Sequence, residues 1–170
     1  MTAASNEPVL LRRDEGRVAF LTLNRPHAMN ALSGDLIDAL QAELDRLAGD
    51  KDIRCVVIEA SGERAFSTGV DLKERQTFDD AEAAAFRTGE LFPMYRELDG
   101  RSKPAVAAVF GHTLAGGFEL ALTCDLMVAA EDAVFGLPEV KWGLIPAGGG
   151  CRKLPALIGP LTGPPIGGFL

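Results

Sequence analysis

A mixed strand-and-helix domain, α/β or α+β, is predicted by three observations. Strand, strand, helix and strand signals follow one another between Val9 and Ala60. In the stretch from Lys103 to Leu154, a strand ends in a glycine turn that opens an apolar helix. Hydrophobic residues make up 47% of the 170, enough for one globular domain with a sizeable core.

Each element has its own signal. Val9 to Arg12 and Val18 to Leu23 flank Asp14-Glu15-Gly16, which reads as a hairpin. Asn24-Arg25-Pro26 closes the second strand, because Pro26 has no N–H to give a ladder. Ser33 is placed to cap a helix over Gly34 to Leu47, where Leu36, Ile37, Leu40, Leu44 and Leu47 recur at helical spacing. Arg54 to Ala60 is a short β-branched strand. Ser61 to Arg64 is a turn, and the small residues around Gly69 let a ligand approach the backbone closely. Asp79 to Leu98, rich in Ala and Glu, reads as a helix that Pro93 kinks or divides. Lys103 to Phe110, Asp125 to Ala130 and Ala133 to Phe135 are further strand candidates. The tail Gly159 to Leu170 holds four Gly and three Pro in twelve residues, so no stable helix is expected there. The expected division is a core domain over 1–158 and a poorly ordered tail over 159–170.

Composition excludes several function classes. A net charge of −7 and a pI near 4.8 leave no basic footprint for nucleic acid. An anionic ligand then needs local cations or helix N-termini to hold it. The first residues carry no basic and apolar leader pattern, and no apolar run approaches the ~20 residues that span a bilayer. Cys55, Cys124 and Cys151 are unclustered and read as reduced thiols of a cytoplasmic protein. His27 and His112 are too few and too far apart for a zinc site, so no metal is expected.

The candidate chemistry lies in two carboxylates. Glu119 sits in the run Phe118 to Leu122, which leaves no solvent stripe, and Glu139 follows in Phe135 to Val140, again among apolar residues. Burial raises a glutamate's pKa and makes it useful as acid or base near neutrality. Each also has a plain structural reading. Glu119 could pair with a buried cation, and Glu139 follows Pro138 as carboxylates do at helix starts. Gly116-Gly117 alone reads as a tight strand–helix turn. Gly148-Gly149-Gly150 lacks the Lys-Ser/Thr of a Walker A loop and reads as a turn beside the site. Ser67 lacks a Gly-x-Ser-x-Gly elbow, so serine hydrolysis is not indicated. Asp125 reads as a strand-edge or cap residue.

Three segments together carry a resemblance: Asn24-Arg25-Pro26-His27-Ala28-Met29-Asn30-Ala31-Leu32, Ala65-Phe66-Ser67-Thr68-Gly69-Val70-Asp71-Leu72-Lys73-Glu74, and Lys103 to Leu154. In that order and at those spacings, over roughly residues 9 to 158, the chain resembles the enoyl-CoA hydratase/isomerase (crotonase) superfamily. The resemblance implies an α/β spiral of ββα units, a coenzyme A thioester substrate, and no cofactor, the coenzyme A being part of the substrate. It places the N–H groups of Val70 and Gly116 in an oxyanion hole and gives Glu119 and Glu139 the handling of water and proton. It lays the run Val70-Asp71-Leu72-Lys73 along the coenzyme. The implied reaction is hydration of an α,β-unsaturated acyl-CoA. Isomerisation or dehydration within the same superfamily, or a remnant that only binds coenzyme A or partner subunits, are the alternatives.

Two small departures are Ala115, where many members have the first of three glycines, and the β-branched Val70. The larger one is at the end, where members continue into C-terminal helices that cover the acyl pocket and help build a trimer. The expectation is a crotonase-like core without that region, with apolar surface exposed near Ile145-Pro146 and along the helix from Gly117. Self-association and reduced activity are expected to follow, with a regular homotrimer lost.

Overall fold

The computed structural model describes residues 7–159. In chain order the elements are β1 (Leu10–Glu15), β2 (Val18–Leu23), α1 (Gly34–Gly49), β3 (Cys55–Ala60), β4 (Ala65–Ser67), α2 (Leu72–Arg75) and α3 (Asp80–Phe86). A π-helical turn, Arg87–Leu91, leads into α4 (Phe92–Gly100). Then come β5 (Ala105–Val109), β6 (His112–Leu114), α5 (Gly116–Thr123), β7 (Leu126–Ala129) and β8 (Val134–Gly136). A 3-10 helix, Pro138–Trp142, and α6 (Gly150–Ile158) complete the fold. Apart from Gly159, the predicted tail lies outside the described residues.

Two sheets organise these elements. One has the order β1-β2-β3-β5-β7, antiparallel between β1 and β2 and parallel beyond. The other, β4-β6-β8, is parallel and short. From β3 onward the chain lays a strand in the first sheet, a strand in the second, then helix, three times over. This is the α/β spiral of ββα units. β1 and β2 form the expected hairpin around Gly16, whose φ of 60° suits a residue without a side chain.

The core forms where α1 and α4 cover the first sheet. Leu36, Ile37, Leu40, Leu44 and Leu47 of α1 are buried as their spacing predicts. They meet Leu21 and Leu23 of β2, Val56 and Ile58 of β3, and Met94 and Leu98 of α4 in one cluster. Ser33 caps α1, its hydroxyl accepting the Leu36 N–H at 3.4 Å. Asp79 and Glu82 form a reciprocal capping box on α3.

The predicted helix over Asp79 to Leu98 is divided, the irregular turn ending just before Pro93. Pro93 sits in the first turn of α4, and the irregularity comes before it, where the Phe92 N–H reaches back to the Arg87 carbonyl. One extra residue is thereby absorbed into the turn. Ala83 and Phe86 face the core, and ordinary α-helical spacing would continue that face through Glu90, Pro93 and Glu97. The extra residue moves the face by one position, so Leu91, Met94, Tyr95 and Leu98 are buried instead.

The expected exposure along α5 is not found. Seven of its residues, Gly116 to Ala121 and Thr123, are buried, while Ile145 is 68% exposed and Pro146 beside it is buried. Among the described residues no helix is long and apolar enough to cross a membrane, and no cluster of His, Cys, Asp and Glu could hold a metal.

Candidate active site

A cavity of about 320 Å³ lies where the second sheet hands over to its helices. Its wall includes Val70, Leu72, Gly116, Glu119 and Glu139 among the residues singled out from sequence. Asp71 and Lys73 are not in that wall. Asp71 is turned away, where its carboxylate accepts the Lys73 and Glu74 N–H groups and pairs with Arg25 at 2.9 Å. Arg25 also holds the Ala31 carbonyl at 2.6 Å, so the pair ties the segment after β2 to the start of α2. Asp125 likewise works in the scaffold, accepting the Ala105 N–H at 2.7 Å and Arg101 at 2.6 Å.

Backbone pairing decides which way Val70 faces. Leu32 bridges to Val70: its N–H donates to the Gly69 carbonyl at 2.8 Å, and its carbonyl accepts the Asp71 N–H at 3.0 Å. In extended chain the polar groups of the intervening residue point the other way, so the Val70 N–H faces away from Leu32. Gly116 lies at the N-terminus of α5, where the first N–H groups have no partner within the helix. Neither N–H is taken by another acceptor among the described residues. The two segments also touch. A side chain at Gly69, whose φ is 89°, would come within 2.9 Å of the Gly116 nitrogen. Gly117 is equally hemmed in, because a Cβ there would run into the Ser67 carbonyl. Ala115 takes a φ of 49° to turn β6 into α5.

Glu119 is buried on the first turn of α5. Loss of solvent pushes its pKa up to about 7, against the Gly150 N–H, which donates to Oε1 at 2.8 Å and favours the ionised form. The nearby Glu139 charge raises it further, and the Gly148 and Gly149 amides oppose that. The three glycines therefore do more than turn the chain: they bring backbone amides to a carboxylate. A Cβ on Gly148 would lie 2.7 Å from Glu119 Oε2, and one on Gly150 would lie 3.1 Å from Oε1. Glu139, in the first turn of the 3-10 helix, is also buried, and its Oε2 has no hydrogen-bond partner among the described residues. Burial raises its pKa, with its own backbone N–H acting in the other direction.

The rest of the wall is mostly apolar, from Phe86, Leu91, Phe92, Trp142, Leu144 and Ile145, with Arg75 and Arg87 as its cations. Sequence reading did not select these as site residues: Arg75 ends α2, Phe86 to Phe92 span the π turn and its flanks, and Trp142 to Ile145 follow Glu139. It also passed over Tyr95, whose hydroxyl donates to the Gly116 carbonyl at 2.7 Å in the buried interior. Nothing local to Tyr95 betrays that partner, which is 21 residues away.

Comparison with known proteins is consistent along the chain. The family model described as enoyl-CoA hydratase/isomerase matches residues 13–162. YngF of Bacillus subtilis (strain 168) is 40% identical over 158 residues, covering 90% of this chain and 58% of YngF. A crotonyl-CoA hydratase of Syntrophomonas wolfei is 38% identical, covering 91% of this chain and 58% of that protein. The crystal structure of an enoyl-CoA hydratase from Bacillus anthracis superposes with a TM-score of 0.85 at 34% identity, covering 89% of this chain and 58% of that one. This chain thus spans less than two thirds of the length of these relatives. Sequence match, fold and order of motifs agree, and the chain belongs to the enoyl-CoA hydratase/isomerase family.

Proposed function

We propose that this chain carries out enoyl-CoA hydratase chemistry, the reversible addition of water across the Cα–Cβ double bond of an α,β-unsaturated acyl-CoA. The observation that carries the reading is the meeting, in one apolar cavity, of two buried carboxylates with raised pKa values and two unclaimed backbone N–H groups. Attack of water at Cβ pushes negative charge onto the thioester oxygen. The Val70 and Gly116 N–H groups are the proposed donors to that oxygen, and each such donor is worth about 2.7–4 kcal/mol of barrier. Glu119, whose charged form is favoured by the Gly150 N–H, takes a proton from the attacking water. Glu139, protonated, gives its proton to Cα. The water's oxygen ends on Cβ, one hydrogen of the product comes from Glu139, and a proton passes from Glu119 back to Glu139 before the next cycle.

Leu72 and the arginines Arg75 and Arg87, which line the cavity, are the proposed contacts to the coenzyme part of the substrate, the arginines supplying local cations on a chain of net charge −7. Val70 to Lys73 remains the proposed coenzyme-facing run, Asp71 contributing by fixing its shape. No cofactor enters this scheme. Unpaired thiols at Cys55, Cys124 and Cys151 fit a cytoplasmic location, and self-association without the family's regular trimer is the proposed assembly.

Loss of the conjugated-thioester absorbance of crotonyl-CoA tests the reading. Glu119→Gln and Glu139→Gln should each lower kcat by roughly 10²–10⁴-fold while changing substrate affinity little. Either variant turning over at the parent rate removes that residue from the mechanism, and no loss of absorbance with the parent chain overturns the hydratase reading.

A further inference from the structure

Tyr95 stands outside the proposed proton transfers, yet it is built into their support. It is the chain's single tyrosine, and the register shift of the π turn is what brings it inside. Its ring packs against Gly148, where a Cβ would lie 2.5 Å from Cε2 and 2.7 Å from Glu119 Oε2. Its hydroxyl donates to the Gly116 carbonyl at 2.7 Å, and a Cβ on Gly116 would lie 2.9 Å from that hydroxyl oxygen. One side chain therefore contacts both the glycine that offers an N–H to the cavity and the loop that holds Glu119. The Gly116 carbonyl is at the first turn of α5, where the chain has just left the positive φ of Ala115. Gly116 has no side chain of its own to hold it there, so a second anchor on its carbonyl restricts the rotation that would swing its N–H off target.

We propose that Tyr95 is a positioning residue that holds Gly116 by its carbonyl and so limits rotation about the Gly116 φ and ψ, keeping the Gly116 N–H, in the preceding peptide unit, aimed at the thioester oxygen. The inference rests on the oxyanion reading above. Burial, with the neighbouring Glu119 and Glu139, holds the phenol's pKa well above its ordinary value, so it serves as a standing donor.

The test uses the full chain and two probes. With crotonyl-CoA, Tyr95→Phe should lower kcat about tenfold and leave KM within about twofold, because one buried hydrogen bond acting on the transition state is lost. With acetoacetyl-CoA, whose bound enolate carries charge on the same oxygen and is read by absorbance without turnover, Tyr95→Phe should lower the enolate fraction by a similar factor. Because there is one tyrosine, growth on 3-fluorotyrosine alters this phenol alone and makes it a stronger donor without emptying the site. That protein should form more enolate than the parent, and it carries the test if Tyr95→Phe fails to fold, an unchanged enolate fraction then overturning the proposal. An unchanged kcat and enolate fraction in Tyr95→Phe overturns the proposal. So does an equal loss of kcat and affinity accompanied by a large drop in Tm, which marks a merely structural role. A parent that forms the enolate but does not hydrate crotonyl-CoA sinks the hydratase reading and leaves the Tyr95 result to stand by itself. A parent that forms no enolate sinks both.

Discussion

Glu119 is pulled in two directions, and the balance can be read in both stability and rate. Its folded pKa lies near 7, above the ordinary glutamate value of 4.5. A carboxyl group raised on folding gives its full stability while protonated in both states, below about pH 4.5, and loses it as pH rises through the folded value. At pH 8 the ionised Glu119 then costs on the order of 3 kcal/mol relative to a neutral group. Glu119→Gln keeps an acceptor for the Gly150 N–H and removes the charge. Denaturant unfolding should therefore find the variant more stable than the parent at pH 8, with the difference fading towards pH 4.5. A difference independent of pH would show that Glu119 is not the group responsible. Turnover should move the opposite way: as a base Glu119 must be ionised, so kcat/KM should fall on the acid side of about pH 7. Both glutamates were legible in the sequence because a charge inside an apolar run is conspicuous. Tyr95 was not, since an aromatic residue at helical spacing reads as core, and its backbone partner comes from another element.

At the scale of elements, the π turn carries the most consequence for the fewest residues. It converts a face of Glu90, Pro93 and Glu97 into one of Leu91, Met94, Tyr95 and Leu98. Removing Gly89, where a Cβ would meet nothing within 4 Å, should let the turn close to ordinary α-helix, in which Leu91, Met94 and Leu98 then follow Phe86 at helical spacing. Met94, Tyr95 and Leu98 should therefore stay in the core, whereas inserting a second residue beside Gly89 would turn them out by about 100° at a cost on the order of 3–5 kcal/mol, and hydration activity should vanish. Gly89→Ala, which keeps the residue count, should stay within about 1 kcal/mol of the parent in the same unfolding measurement. An insertion variant as stable as Gly89→Ala would mean that register is not what places Tyr95. Sequence periodicity could not reveal this turn, because one inserted residue in a helix rich in Ala and Glu leaves no compositional mark. The α1 helix was legible for the opposite reason: five apolar residues at regular spacing and a serine cap all agree. The strands β4, β6 and β8 have only three residues each: β8 was read one residue early as the strand candidate Ala133 to Phe135, β6 only as the strand end before the glycine turn, and β4 only as the lead from a turn.

For the whole molecule, the two edges of the larger sheet differ. β1 guards its edge with Arg12, Arg13, Asp14 and Glu15, tied by pairs such as Arg12 with Asp14 at 2.8 Å and Arg12 with Glu43 at 3.1 Å. β7 ends the other side with the sequence LMVA, and Leu126 and Val128 are 64% and 63% exposed. Trp142, Leu144, Ile145 and Leu157 add further exposed apolar area elsewhere on the surface. An uncharged strand edge flanked by apolar side chains is a template for pairing with another chain. The opposing force is the net charge of −7, which keeps copies apart until salt shortens the screening length to about 8–10 Å. Light scattering should therefore show the average mass rising with protein concentration, more steeply at 0.15 M salt than at low salt. Val128→Lys puts a charge on the edge and should shift that rise to at least about tenfold higher concentration, since burying an unpaired ammonium between strands is costly. A single discrete species at every concentration, indifferent to Val128→Lys, would place the contact on another surface.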